Sequence, residues 1–315
     1  MTAGSCFAQH VGRALRLAGF EVVDTEPVSS DPRNLGDRAA EYGYGLYSAR
    51  YGNIYTVRQL RQLLAEAQGQ LIPADSVWEK AGRTFDPLRP NIEPSGFATQ
   101  MDVQNARNAH LAAVREAFAQ ADVFVFTMGL TEAWTHKASG QVYPVAPGVL
   151  AGTFDPDRHV LQTFRLAEIR SDFEAALAMI RAINPGVRVL LTVSPVPLTA
   201  TATGEHVLVA TTQAKSVLRA CAGELCADHA QIDYFPSYEI VTSAKAAGQF
   251  FEPNLRSVSA AGVARVMQTF LAAYGHAPAP APAIAAEAAD SEARRQERKA
   301  TRKEARRLEK GKSKA

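Results

Sequence analysis

The sequence predicts an α/β protein, a sandwich of helices around a mostly parallel sheet. Three observations predict it. Two apolar runs rich in β-branched and aromatic residues, Asp122-Val-Phe-Val-Phe-Thr127 and Val187-Arg-Val-Leu-Leu-Thr-Val193, read as strands buried on both faces. Helical patterns of roughly 15–20 residues alternate with them, as crossover connections require. The composition of the 315 residues, 47 % apolar and 21 % charged, supplies a packed core.

The first helix is predicted over 7–18, with Phe7, Val11, Ala14, Leu15 and Ala18 on one face and Gly19 as its stop. Phe20-Glu-Val-Val23 reads as a short strand. Residues 24–56 read as a long loop rich in Pro, Gly, Asp and Tyr. Thr56 is placed to cap a helix over 57–67. Residues 70–100 are irregular, and a long amphipathic helix covers 101–120. After the strand at 122–127 comes a second long loop, 135–162. A helix over 165–182, the strand at 187–193, a helix from His206 to Ala227, a strand at Ile232-Asp-Tyr-Phe235 and a helix over 259–274 capped by Ser259 complete the order. The segments 24–56 and 70–100 are too long for plain connectors and read as functional insertions.

Charge separates the body from its end. From Glu287 to Ala315 there are 11 Lys and Arg against 6 Asp and Glu, whereas the rest of the chain is mildly acidic. Residues 1–275 are expected to form the domain, 276–290 an Ala/Pro-rich linker and 291–315 a basic tail without a core face. Such a tail suits a weak electrostatic contact with nucleic acid or an anionic surface, or simply keeps the protein soluble. No apolar run reaches the roughly 18 residues of a membrane span. The start lacks the pattern of a secretory signal, and three Cys make no disulfide framework, so a cytoplasmic setting is expected. No phosphate-binding Gly-rich loop is present, and no metal or other cofactor is indicated.

Three segments carry polar groups suited to chemistry. Gly4-Ser5-Cys6 leads directly into the first helix, which puts Ser5 where free N–H groups and the helix dipole favour negative charge. Ser5 reads either as a nucleophile with an oxyanion site beside it or as a plain helix cap. The turn begins three residues after Met1, so the strand that normally precedes such a turn is expected to be absent, or the start to lie upstream. Phe126-Thr-Met-Gly-Leu-Thr-Glu-Ala-Trp134 follows a buried strand, at the rim where ligands bind in open α/β sheets. Gly129 there allows close approach, and Thr131 and Glu132 add polar groups. Gly52 and Asn53 precede the second helix and offer a further oxyanion contribution.

Together these segments resemble the GSCFA domain family. Gly4-Ser-Cys-Phe-Ala8 carries the resemblance, with Arg50-Tyr-Gly-Asn-Ile-Tyr55, Asp86-Pro-Leu-Arg-Pro90, Phe126–Trp134, Thr192-Val-Ser-Pro-Val-Pro-Leu198, His206 with Lys215-Ser-Val-Leu-Arg219, Tyr234–Glu239 and Arg256-Ser-Val258. It covers about residues 2–272. The family looks like a branch of the SGNH/GDSL hydrolase-like superfamily. That implies a three-layer α/β/α sandwich of flavodoxin-like type and, where active, ester hydrolysis or acyl transfer, with an acylated carbohydrate or another small ester as substrate. By resemblance Ser5 takes the nucleophile's place and Gly52 and Gly129 match the next two blocks, with Thr131 where the superfamily offers Asn. The late Asp-x-x-His falls on Asn254-Leu-Arg-Ser257, where Asn stands for the acid and Ser for the base. A serine hydroxyl needs an adjacent base at neutral pH. His206 is the first candidate, ahead of His10, His136 and His159, and Glu132 and Glu239 are candidate orienters. The alternative is a catalytically silent domain of the same fold that binds a ligand or partner.

Overall fold

The computed structural model describes residues 1–246 and 248–275 and, beyond them, only isolated positions up to 300. The linker at 276–290 and the tail at 291–315 therefore lie outside the described residues, apart from those positions. The chain divides into two compact units, one of Met1–Arg16 and Phe20–Tyr238, the other of Leu17–Gly19 and Glu239–Ala315.

The first unit is built on a four-stranded, all-parallel sheet, and the protein is an α/β sandwich. Its strands are β1 (Thr2–Gly4), β4 (Val123–Met128), β8 (Arg188–Val193) and β9 (Ile232–Tyr234), side by side in that order. Register puts Ala3 beside Phe126 and Phe126 beside Leu191, so residues at alternate positions share a face. One face carries Phe124, Phe126, Met128, Val189, Leu191 and Val193. It packs with α2 (Val57–Ala67), α3 (Gln100–Gln120), α4 (Leu166–Ile183) and α5 (Val207–Asp228). The opposite face meets α1 (Ala8–Leu17), where Gly12 lies against the Thr2 side chain. The layers are thus α/β/α.

Local signals set the helix ends. Thr56 caps α2 by accepting from the Gln59 N–H, and Thr99 and Asp102 form a reciprocal capping box on α3. Two readings from sequence are corrected. A first strand exists: β1 is only three residues long, and β4 pairs with it along one edge. Residues 20–23 are not a strand, because the other edge of β1 is already occupied. The Thr2 N–H donates to Ser48 Oγ at 2.9 Å, the Ile54 N–H donates to the Gly4 carbonyl at 2.8 Å, and the Tyr51 hydroxyl donates to the Thr2 carbonyl. The long loops also carry more structure than composition suggests. Residues 70–100 contain the hairpin β2 (Trp78–Lys80) and β3 (Arg83–Phe85). Residues 132–163 form an antiparallel sheet of β6 (Val142–Tyr143), β5 (Glu132–His136) and β7 (His159–Thr163).

A buried ionic network ties these insertions to α2 and α3. Arg89 donates to Asp86 at 2.8 Å, Arg107 pairs with Glu66, and His110 Nδ1 lies 2.6 Å from Glu26, which also accepts the Arg50 N–H at 2.6 Å. Burial raises the Glu26 carboxyl, but His110, Arg89 and the Arg50 N–H outweigh it and hold it down at about 2. Burial and neighbouring Arg89 hold His110 neutral, down at about 3. His110 therefore donates as a neutral imidazole to an ionised Glu26. Both folded values lie below the unfolded ones, so the stability they contribute is present at neutral pH and falls as acid is added. The histidine's share is lost first, from about pH 6.5 downward. The melting temperature is expected to drop already between pH 6.5 and 4.5, and His110→Gln to flatten that limb. An unchanged slope in the variant refutes the assignment.

The second unit holds most of α6 (Ser237–Thr242) and all of α7 (Ala260–Ala273). Phe251 bridges Val258, and Ser259 caps α7 by accepting from the Gly262 N–H at 3.2 Å. Asn254 folds its own turn: its Oδ1 accepts from the N–H of Arg256 at 2.9 Å and of Ser257 at 2.8 Å. An amide at this position thus serves an Asx turn.

Candidate functional site

The site begins at the carboxyl end of β1. Gly4 has φ +135°, a conformation open to glycine, and runs hard against Thr127 of β4. The Ser5 N–H donates to the Thr127 carbonyl at 3.0 Å, and the Ser5 carbonyl accepts from the Ala8 N–H at 2.9 Å, opening the turn into α1. Ser5 thus stands at a helix N-terminus, 3 % exposed, and its hydroxyl has no hydrogen-bond partner among the described residues. A buried hydroxyl left unpaired costs about 1–3 kcal/mol. Its own N–H, one of the expected oxyanion donors, is already committed to Thr127.

Residues 52–55 cross the same rim. The Ile54 N–H is bound to the Gly4 carbonyl, and the Tyr55 carbonyl accepts from the N–H of Gly129 at 3.2 Å and of Leu130 at 2.8 Å. This extended stretch stitches the end of β1 to the end of β4. Gly52 takes φ +70° at its start. The Asn53 amide is engaged: Oδ1 meets the Tyr47 hydroxyl, and Nδ2 donates to the Tyr55 hydroxyl at 2.8 Å. Tyr47 is fully buried, and burial pushes its phenol well above the ordinary value, so it stays a proton donor. The same hydroxyl lies 3.3 Å from the Ser5 carbonyl and accepts from Gln9 at 3.1 Å.

Gly129 is the meeting point. A Cβ there would lie 2.9 Å from the Ser5 Cβ and 3.0 Å from the Tyr55 carbonyl oxygen. Glycine is needed for this close approach. Gly129→Ala is expected to cost about 1–3 kcal/mol, as overpacking does, and to displace Ser5. A variant that melts as the wild type does would show that the three segments do not meet as described.

The Gly129 carbonyl accepts from Lys215 Nζ at 2.8 Å. Lys215 lies on α5, is 1 % exposed, and has no carboxylate partner among the described residues. Burial pulls its ammonium down to about 7, and the Cys6 thiol opposes that only in part. As a chemical group the sequence reading passed over it. The available signal was its place on the apolar stripe of α5, between Ala214 and Leu218 and in line with Ala222 and Leu225. A lysine on a buried stripe requires an explanation.

The remaining predicted residues stand elsewhere. His206 is exposed and caps α5, its Nδ1 accepting from the Leu208 N–H at 3.3 Å. It precedes Lys215 by nine residues, about 13 Å along the helix axis. Thr131 is buried, and its carbonyl accepts from the Phe164 N–H at 2.7 Å. Glu132 opens β5 and accepts from the Thr201 hydroxyl at 2.9 Å, while burial raises its carboxyl. Ser194 follows β8, its N–H bound to the Met128 carbonyl at 2.9 Å. His136 pairs with Ser139, His159 accepts from the Asp155 N–H, and His229 meets Glu174. Among the described residues no imidazole hydrogen-bonds to the Ser5 hydroxyl. Among the described residues, no group of three or more His, Cys, Asp or Glu side chains is arranged to hold a metal, and no helix is long and apolar enough to cross a membrane.

The family model described as the GSCFA family matches residues 1–270. No curated protein and no solved structure gives a significant match.

Proposed function

From the premise that the chain belongs to the GSCFA family, we propose that it is a serine-dependent ester hydrolase or O-acyl transferase with Ser5 as its nucleophile. One observation carries the reading: the Ser5 hydroxyl is buried, unpartnered and set at the rim where β1, residues 52–55 and Gly129 converge. Unpaired buried polar groups are few in a fold, and each calls for a reason, a catalytic role among them. The N-terminus of α1 adds a field that favours negative charge on a tetrahedral intermediate. Because the hydroxyl oxygen is closed to solvent, an ester reaches it only after a local opening.

A specific observation favours a second reading, a silent ligand-binding domain. The Ser5 N–H is spent on Thr127, and no imidazole among the described residues hydrogen-bonds to the hydroxyl. The two readings part in one experiment. A panel of short-chain aryl esters and an acetylated sugar is tested for turnover, and a fluorophosphonate probe for labelling mapped by peptide analysis. Turnover with label on Ser5 supports the enzyme. Thermal stabilisation by an ester without turnover or label supports the binding domain.

A further inference from the structure

We propose that Lys215 is the general base of this site, taking the place of the missing late histidine. The inference rests on Ser5 being the nucleophile and goes beyond it by naming the group that ionises it.

Lys215 Nζ is anchored 2.8 Å from the Gly129 carbonyl oxygen, and the same glycine lies against the Ser5 Cβ. The titratable group that acts on Nζ is the thiol of Cys6, the residue next to Ser5. The amine is therefore held on the backbone of the residue that packs against Ser5. Its burial at 1 % exposure without a carboxylate is costly for an ammonium, whereas the hydrogen bond to the Gly129 carbonyl needs only a neutral amine. Burial also brings its titration to about 7, where a base works best at neutral pH.

The step balances without any co-reactant except water. Neutral Lys215 keeps one N–H on the Gly129 carbonyl and offers its lone pair to the Ser5 O–H. As Oγ bonds to the ester carbon, the proton passes to Nζ and the carbonyl electron pair moves onto its oxygen. Collapse of this intermediate breaks the bond to the alcohol, which leaves with the proton from Nζ. Water then repeats the sequence on the acyl-serine, releasing the acid and restoring the Ser5 hydroxyl. An acyl transfer replaces that water with an acceptor alcohol. The Ser5 hydroxyl is unpartnered in the closed state, and catalytic hydrogen bonds of this kind tighten when substrate binds.

The test compares the full-length wild type with Lys215→Met and Lys215→Arg. Fluorophosphonate labelling and p-nitrophenyl acetate hydrolysis are followed from pH 5 to 10, beside thermal melts. The wild-type rate is expected to rise with pH through a midpoint near 7. Both variants are expected to lose about 10²-fold or more and to lose the midpoint. Arginine keeps a donor for the Gly129 carbonyl but stays charged, so it decides the matter if the methionine variant does not fold. A folded variant that labels within about threefold of wild type, with the same midpoint, overturns the assignment of the base alone. A wild-type profile without an inflection between pH 6 and 8 overturns it whatever the variants do. Absence of label on Ser5 at every pH overturns the nucleophile, and the base with it.

Discussion

Ser5→Ala is expected to abolish fluorophosphonate labelling and to lower ester turnover by about 10³-fold or more. The melting temperature is expected to stay the same or rise. The two halves of this expectation come from one fact. The Ser5 hydroxyl is buried and hydrogen-bonded to none of the described residues, so it contributes no interaction among them that folding would miss. Removing it relieves an unpaired polar atom, a gain of up to about 1 kcal/mol. The backbone bonds that shape the turn, from the Ser5 N–H to Thr127 and from the Ala8 N–H to Ser5, do not involve the side chain. A purely structural cap behaves the other way: its loss costs about 0.5–2 kcal/mol and leaves chemistry alone. The His206 cap of α5 and the Ser259 cap of α7 both have their N–H partners, whereas Ser5 Oγ has none. Turnover retained in a folded Ser5→Ala protein would sink the nucleophile assignment, and a large loss of stability would show that the hydroxyl has a partner after all.

What could be read from the chain follows from where each signal is stored. The strands β4 and β8 announce themselves because both faces are buried, which demands continuous apolar runs such as Val123–Met128. Strand β1 carries no such run. Thr2, Ala3 and Gly4 are small, and their pairing comes from Val125–Thr127, far away in sequence. Phe20–Val23 shows the converse. It has the β-forming residues but no free edge to join, since Ser48 and Ile54 already hold β1. The sheet of β5, β6 and β7 was hidden for a similar reason, because its two-to-five-residue strands are stabilised by partners across a loop.

The site divides in the same way. That residues 126–130 would stand at the rim was legible, because strand ends in a parallel sheet collect on one side, whereas residues 4–5 and 52–55 were joined to them by the family resemblance alone. Lys215 was legible only as a lysine on a buried stripe, because its partner, the Gly129 carbonyl, lies far away in sequence. The positions quoted as Arg50 and Asp86–Pro90 in the sequence resolve into scaffold. Arg50 and Arg89 hold the insertions through Glu93, Asp86 and the Tyr42 and Ala106 carbonyls. Polar residues in a motif can thus serve the shape of a site without touching its chemistry.

Gly4→Ala is expected to be the most destabilising single change in the first unit, costing about 3 kcal/mol or more. An added Cβ would lie 2.7 Å from the Thr127 nitrogen and 2.9 Å from its carbonyl carbon, and closer still to the carbonyl oxygen. All three are backbone atoms of β4, a strand held by β1 on one side and β8 on the other, so none can yield. The residue also has φ +135°, which an alanine resists on its own account. Gly52→Ala separates the two causes. Its φ is +70°, yet a Cβ there meets nothing within 4 Å, so only the conformational cost of about 1–2 kcal/mol applies. Urea titration of both variants measures the difference. The expected order is Gly4→Ala well below Gly52→Ala, with Gly4→Ala also losing any label on Ser5. The Thr127 carbonyl that the new methyl would strike is the one that receives the Ser5 N–H. Pushing β1 off β4 therefore releases the anchor of the serine at the same moment. If Gly4→Ala melts within a few degrees of wild type, β1 is not packed on β4 as described. Ser5 then loses the backbone contact that sets it at the rim.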